Sequence, residues 1–126
     1  MTGDGCEVSV GWLEDLFDSV DAQDTPRFVG FLSPDAEFRF GSAPAVSGTA
    51  QIAAAVDGFF STIAGCRHRL GNTWIEDGTI ACEGEVTYRR HDGSEITLPF
   101  ANVFEMAGDL ISRYKIYIDI APLYAV

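Results

Sequence analysis

The stretch "TIACEGEVTYRRHDGSEITLPFANVFEM" (residues 79–106) decides the fold. Its residues repeat with a period of two, so that Glu83, Glu85, Thr87 and Arg89 share one side of an extended run. The run breaks at "HDGS" (91–94), and Asp-Gly between two alternating segments is a strong hairpin signal, because such turns need positive φ. The same pattern continues outward on both sides. "CRHRLGNTWI" (66–75) precedes it across "EDGT", and "LISRYKIYIDI" (110–120) follows it across "AGDL". Four strands in an antiparallel meander are therefore expected from residue 66 onward.

Before Gly65 the period is helical. Trp12, Leu13, Leu16, Phe17 and Val20 fall on one stripe, with Glu14, Asp15 and Asp18 opposite. Thr25-Pro26 opens a second, short helix through Phe28, Val29 and Leu32, and Ser33-Pro34 stops it. "DAEFRF" (35–40) is a short strand and "GSAPAVSG" (41–48) a loop. Ile52, Val56, Phe59, Phe60 and Ile63 mark a third helix. Residues 1–126 are expected to form one α+β domain: three helices in the N-terminal half, packed on a strongly curved, mostly antiparallel sheet.

A chain of 126 residues with 47% apolar content can bury a sizeable core. Its net charge of −11 argues against nucleic acid and anionic membrane surfaces as partners. No run is long enough to span a membrane, and Asp4 and Glu7 stand where a signal peptide would be basic. Cys6, Cys66 and Cys82 are odd in number and lack metal-type spacing, so free thiols in a reducing cytoplasm are expected. Two histidines without a closely spaced partner ligand predict no metal site, and no nucleotide motif predicts a cofactor.

The final run poses a question of its own. Ile116, Ile118 and Ile120 alternate on one side, with Arg113, Lys115, Tyr117 and Asp119 on the other. On periodicity alone the polar side suits either solvent, the better fit, or a cavity that becomes drier along the strand.

The order of elements, with "VDAQD" (20–24), "PDAEFRFG" (34–41), "RHRLGN" (67–72) and "YIDIAPL" (117–123), resembles the SnoaL-like family of the nuclear transport factor 2-like superfamily. That resemblance implies a cone between helices and sheet that holds a small hydrophobic molecule. It places Tyr117 and Asp119 inside the cone, with Asp119 as an acid/base. The isoleucine side then faces outward and implies a homodimer through the outer sheet. His68 resembles the catalytic histidine of scytalone dehydratase, Asp21 the aspartate that orients it, and Asn102 that enzyme's pocket asparagine, here a hydrogen-bond donor to a developing enolate. Leu16, Phe38, Phe40, Phe59, Glu85, Asn102 and Tyr117 are the expected substrate contacts.

The departures narrow the chemistry. Phe40 occupies the general-base position of ketosteroid isomerases, and the arginine between two aspartates of epoxide hydrolases is missing. The resemblance implies a cofactor-independent dehydratase, aldol-type cyclase or isomerase, or alternatively a non-catalytic binding or dimerisation module of the same fold. Read without it, His68 and Asp21 could be an ordinary strand histidine and a helix-end aspartate. Asn102, between Ala101 and Val103, must find a polar partner in either case.

Overall fold

The structure is a computed structural model that describes the backbone of residues 3–125 and the side chains of residues 11–125. Cys6, Asp4 and Glu7 therefore lie outside the described side chains. Helix α1 (Gly3–Asp21) is followed by α2 (Thr25–Val29), β1 (Leu32–Phe40), the two-residue β2 (Val46–Ser47) and α3 (Thr49–Phe60). Four long strands come next: β3 (Gly65–Glu76), β4 (Thr79–Arg89), β5 (Glu95–Ala107) and β6 (Leu110–Tyr117). A short helix, α4 (Ala121–Tyr124), ends the described chain.

The strands form one six-stranded sheet in the order β2-β1-β6-β5-β4-β3. Only β1 and β6 run parallel; every other pair is antiparallel. The β3–β4 turn has φ of 51° at Asp77 and 79° at Gly78, the two positive values that a two-residue hairpin turn requires. Leu32, expected at the end of α2, instead opens β1, since the helix stops at Val29 and Gly30. Pro34 sits where the β1–β6 register is broken, so its missing N–H removes no ladder bond.

Alternation sorts the sheet into two faces. The inner face stacks in rows across the strands: Cys66–Tyr88–Ile96, His68–Val86–Leu98, and Cys82–Asn102–Ile116–Phe40. A further row, Ile80–Phe104–Tyr114–Phe38, closes the deep end. Leu13, Leu16 and Phe17 of α1 and Ile52, Val56 and Phe60 of α3 are buried in the same cluster. A break in register between Leu70 and Thr73 bends β3 against β4, and a Cβ on Gly84 would meet the Arg69 carbonyl oxygen at 2.1 Å. Only glycine tolerates that approach. Among the described residues no helix is long and apolar enough to cross a membrane.

Candidate active site

Asp21, the last residue of α1, meets the edge strand β3. An edge strand leaves backbone N–H groups without a sheet partner. The Asp21 carboxylate fills that gap by accepting the His68 backbone N–H at 3.0 Å on Oδ2. Its Oδ1 accepts the His68 ring Nδ1–H at 2.6 Å. One carboxylate thus fixes both the strand and the ring it carries. Donation from Nδ1 sets the tautomer and leaves the lone pair on Nε2. The ring packs between Phe17 and Phe100, at centroid distances of 4.9 and 5.3 Å, and its side chain is 12% exposed against 26% for Asp21.

Cys66, one inner-face position before His68, completes the cluster. Its thiol lies 3.6 Å from the Val20 carbonyl and 3.8 Å from Asp21 Oδ1. Burial, followed by the negative charge of Asp21 and the hydrogen bond to it, pushes the thiol up to about 12. The ligand atoms of Asp21, Cys66 and His68 lie within 4.8 Å of one another, a proximity that sequence spacing did not show. In this structure the three groups are joined by hydrogen bonds: the carboxylate takes the His68 Nδ1–H and lies 3.8 Å from the thiol. The cluster is wired as a hydrogen-bond network.

A cavity of about 190 Å³ opens beside this network. His68 and Cys66 stand at one side and Phe40, Phe59, Phe100 and Ile118 form apolar walls. Asn102 also lines it, 2% exposed, and its Oδ1 has no hydrogen-bond partner. Tyr88 and Tyr114 contribute phenols, both buried and both raised above the ordinary tyrosine range, chiefly by desolvation. Among the described residues no Lys, Arg, Asp or Glu lines the cavity.

The structure brings together His68, Asp21, Asn102, Phe38, Phe40 and Phe59, and leaves four of the sequence-derived positions outside. Tyr117 is 57% exposed and Asp119 is exposed, because Ile116 and Ile118 take the inner phase of β6 and its continuation. The orientation implied by the resemblance is reversed. Asp119 Oδ1 instead accepts the Ala121 N–H at 3.1 Å, turning the chain into α4 ahead of Pro122. Glu85 lies on the outer face and pairs with Arg69. Leu16 is fully buried in the core beneath α1, away from the cavity. Trp74 is 55% exposed on the outer face. His91 is exposed in its turn, near the Ser61 carbonyl.

Cys66, Tyr88, Phe100 and Tyr114 were not singled out as site residues from sequence, and Ile116 and Ile118 were assigned to the outer face. Their signal was phase: each shares the inner alternation with His68 or Asn102 across the ladder.

The SnoaL-like domain family matches residues 13–114. The chain belongs to the SnoaL-like family. Solved structures agree on the nuclear transport factor 2-like fold. A protein assigned as a SnoaL-like polyketide cyclase from Jannaschia sp. CCS1 is 19% identical, over 90% of this chain and 87% of that one, with a TM-score of 0.80. One assigned as a polyketide cyclase from Xanthomonas campestris pv. campestris is 17% identical, over 90% and 92%, with a TM-score of 0.77. An NTF2-like protein of unknown function from Burkholderia pseudomallei K96243 is 16% identical, over 88% and 90%, with a TM-score of 0.80. At these identities the likeness is one of fold. Comparison with curated protein sequences gives no match.

Proposed function

We propose that this SnoaL-like chain is a cofactor-independent acid–base enzyme for a small hydrophobic carbonyl or hydroxyl compound, working by dehydration, aldol-type cyclisation or isomerisation. The observation that carries this reading is the 2.6 Å Asp21–His68 bond on a ring that is 12% exposed beside an apolar cavity. Nε2 takes a proton from carbon next to a carbonyl, and Asp21 stabilises the imidazolium that forms. The enolate oxygen, two bonds from that carbon, needs a donor close to His68. Tyr88 fills this role better than Asn102. On an unbent ladder its Cα is about 8 Å from that of His68, against about 17 Å for Asn102. Its raised pKa keeps the phenol protonated and donating.

With Asp119 outside, His68 both takes and returns the proton. The transfer therefore stays on one side of the substrate: back to carbon in an isomerisation, or to a departing hydroxyl in a dehydration. Deuterium exchange into 2-tetralone, a two-ring ketone with an acidic C–H, tests this in D₂O by NMR. His68→Gln should slow the catalysed exchange by roughly 10²–10⁴. Bound ketone with exchange no faster than buffer would leave a binding module, not an enzyme.

We also infer a homodimer through the outer sheet face, on different residues from those the sequence suggested. Ile116 and Ile118 point inward, but Trp74 and Tyr117 stand exposed around Ala101 and Val103 on the outer face. Six of the eight basic residues, Arg39, Arg67, Arg69, Arg89, Arg113 and Lys115, also project there, interspersed with Glu37, Glu83, Glu85 and Glu105. In a chain of net charge −11, two copies repel least through this balanced face. Light scattering at about 50 μM, above the Kd of even a weak dimer, should give a dimer that Trp74→Arg dissociates. A wild-type monomer would refute it.

A further inference from the structure

We propose that the cavity selects an uncharged, planar ligand of one to two rings whose far end carries a hydroxyl read by Asn102. This rests on the same cavity as the acid–base reading and extends it to a substrate class.

Charge is excluded first. Among the described residues no Lys, Arg, Asp or Glu lines the cavity, and its one ionisable cation, His68, is already bonded to Asp21. A carboxylate, phosphate or ammonium entering it therefore loses water and meets no free counter-charge. The net charge of −11 adds repulsion against anions. Size comes second. An apolar cavity of roughly 150 Å³ holds benzene, and about 190 Å³ here encloses one ring or a compact pair, so a four-ring skeleton would leave part of itself outside. Shape follows from the walls, where Phe59 of α3 meets Phe40 of the sheet edge to face at 4.8 Å and Phe100 stands on the same sheet. Flat apolar ligands match such surfaces.

The hydroxyl is the sharpest requirement. Asn102 is 2% exposed, yet its Oδ1 accepts nothing. Leaving a buried acceptor unsatisfied costs roughly 1–3 kcal/mol. The strand neighbours of Asn102, Cys82 and Ile116, do not relieve that cost: the Cys82 thiol makes no hydrogen bond to Oδ1, and the Ile116 side chain has none to give. A ligand hydroxyl donates to Oδ1 and restores the missing bond. Register fixes which end carries it. Asn102 lies four residues along the ladder and two strands across from His68, so a ligand that touches both presents its reactive end to Nε2 and its hydroxyl to the amide.

Three probes of one skeleton test this: 2-naphthol, naphthalene and 2-naphthoate, titrated against the whole chain by NMR. One hydrogen bond predicts that naphthol binds roughly fivefold to tenfold tighter than naphthalene. Naphthoate should bind at least tenfold more weakly than naphthol. Asn102→Leu should remove the preference for naphthol and leave naphthalene affinity within about twofold, the size of a lost contact rather than a lost hydrogen bond. Naphthoate binding as tightly as naphthol overturns the proposal, and that comparison needs no variant. So does a naphthol preference that survives Asn102→Leu, or no binding of any probe. The acid–base reading fails separately. If His68→Gln exchanges deuterium like wild type while the binding order holds, the ligand class stands and the catalytic role falls.

Discussion

Replacing Asp21 by Asn tests the centre of the site without any substrate. The carboxylate accepts two strong donors, the His68 ring N–H at 2.6 Å and the His68 backbone N–H at 3.0 Å, and a weak thiol at 3.8 Å. An amide of the same shape has only one acceptor atom. If that oxygen keeps the backbone N–H, the amide N–H faces the ring, and the imidazole must turn Nδ1 into an acceptor. The proton then moves to Nε2 and the base is lost. The stability cost is one hydrogen bond to a charged group, roughly 1.5–3 kcal/mol, with the lower end expected because Asp21 is 26% exposed. For a chain of this length that lowers Tm by about 5 °C. Nitrogen-15 chemical shifts of His68 report the tautomer directly. Wild type should show Nδ1–H and the variant Nε2–H, with any turnover down by roughly 10²–10⁴. An Nε2–H tautomer in the wild type, or identical spectra in the two proteins, would refute the wiring of the dyad.

Asp119→Asn should leave activity unchanged and cost at most about 1 kcal/mol by thermal melting, since its carboxylate only holds the turn into α4. A tenfold loss of turnover would return Asp119 to the site. Gly84→Ala should destabilise by about 2 kcal/mol or more, because the new methyl meets backbone rather than a movable side chain; unchanged melting would mean the strand can shift. Cys66 and Cys82 are both pushed up from 9.0 to about 12, chiefly by burial. At pH 8 about one thiol in 10⁴ is ionised, so peptide mapping should find both resistant to iodoacetamide in the native state. The folded chain also holds these two protons more tightly than the unfolded chain. Stability is therefore intact below about pH 9 and falls as pH rises from 9 towards 12. Denaturant titrations at pH 8 and 10.5 should show the drop, and equal midpoints would contradict the burial of the thiols.

The hairpins were legible because Asp77-Gly78, His91–Ser94 and Gly108-Asp109 punctuate alternating runs, and turn chemistry is local. Helix ends were less so. Leu32 fits the apolar stripe of α2, but parallel pairing with Ile111 claims it for β1, and that pairing joins segments about eighty residues apart. The site was legible where two distant residues could be matched together, Asp21 with His68. It was misread at Tyr117 and Asp119, where the alternation of Ile116 and Ile118 already favoured solvent for the polar side. Phase is a property of this chain's own core. Once Tyr114 is buried at 2% exposed, every second residue after it is inner, and Asp119 cannot be.

That loss of Asp119 sharpens the chemistry. A cavity with one base and no second carboxylate cannot protonate a leaving group from the opposite side. Near His68 on the ladder the cavity is also lined by a phenol held neutral by burial, Tyr88, and a thiol held neutral beside Asp21, Cys66. Both can donate, and neither can act as a base at neutral pH. Direction of proton flow is thus built into the environment: among the described residues that line the cavity, His68 is the one side chain able to act as a base. Tyr88→Phe removes the phenol donor while keeping the ring against Phe59. Catalysed deuterium exchange should fall by roughly 10–10³, the worth of one oxyanion donor, with ketone affinity nearly unchanged. If affinity falls and exchange per bound ketone does not, Tyr88 only positions the substrate. The enolate would then have to be stabilised by water at the cavity mouth.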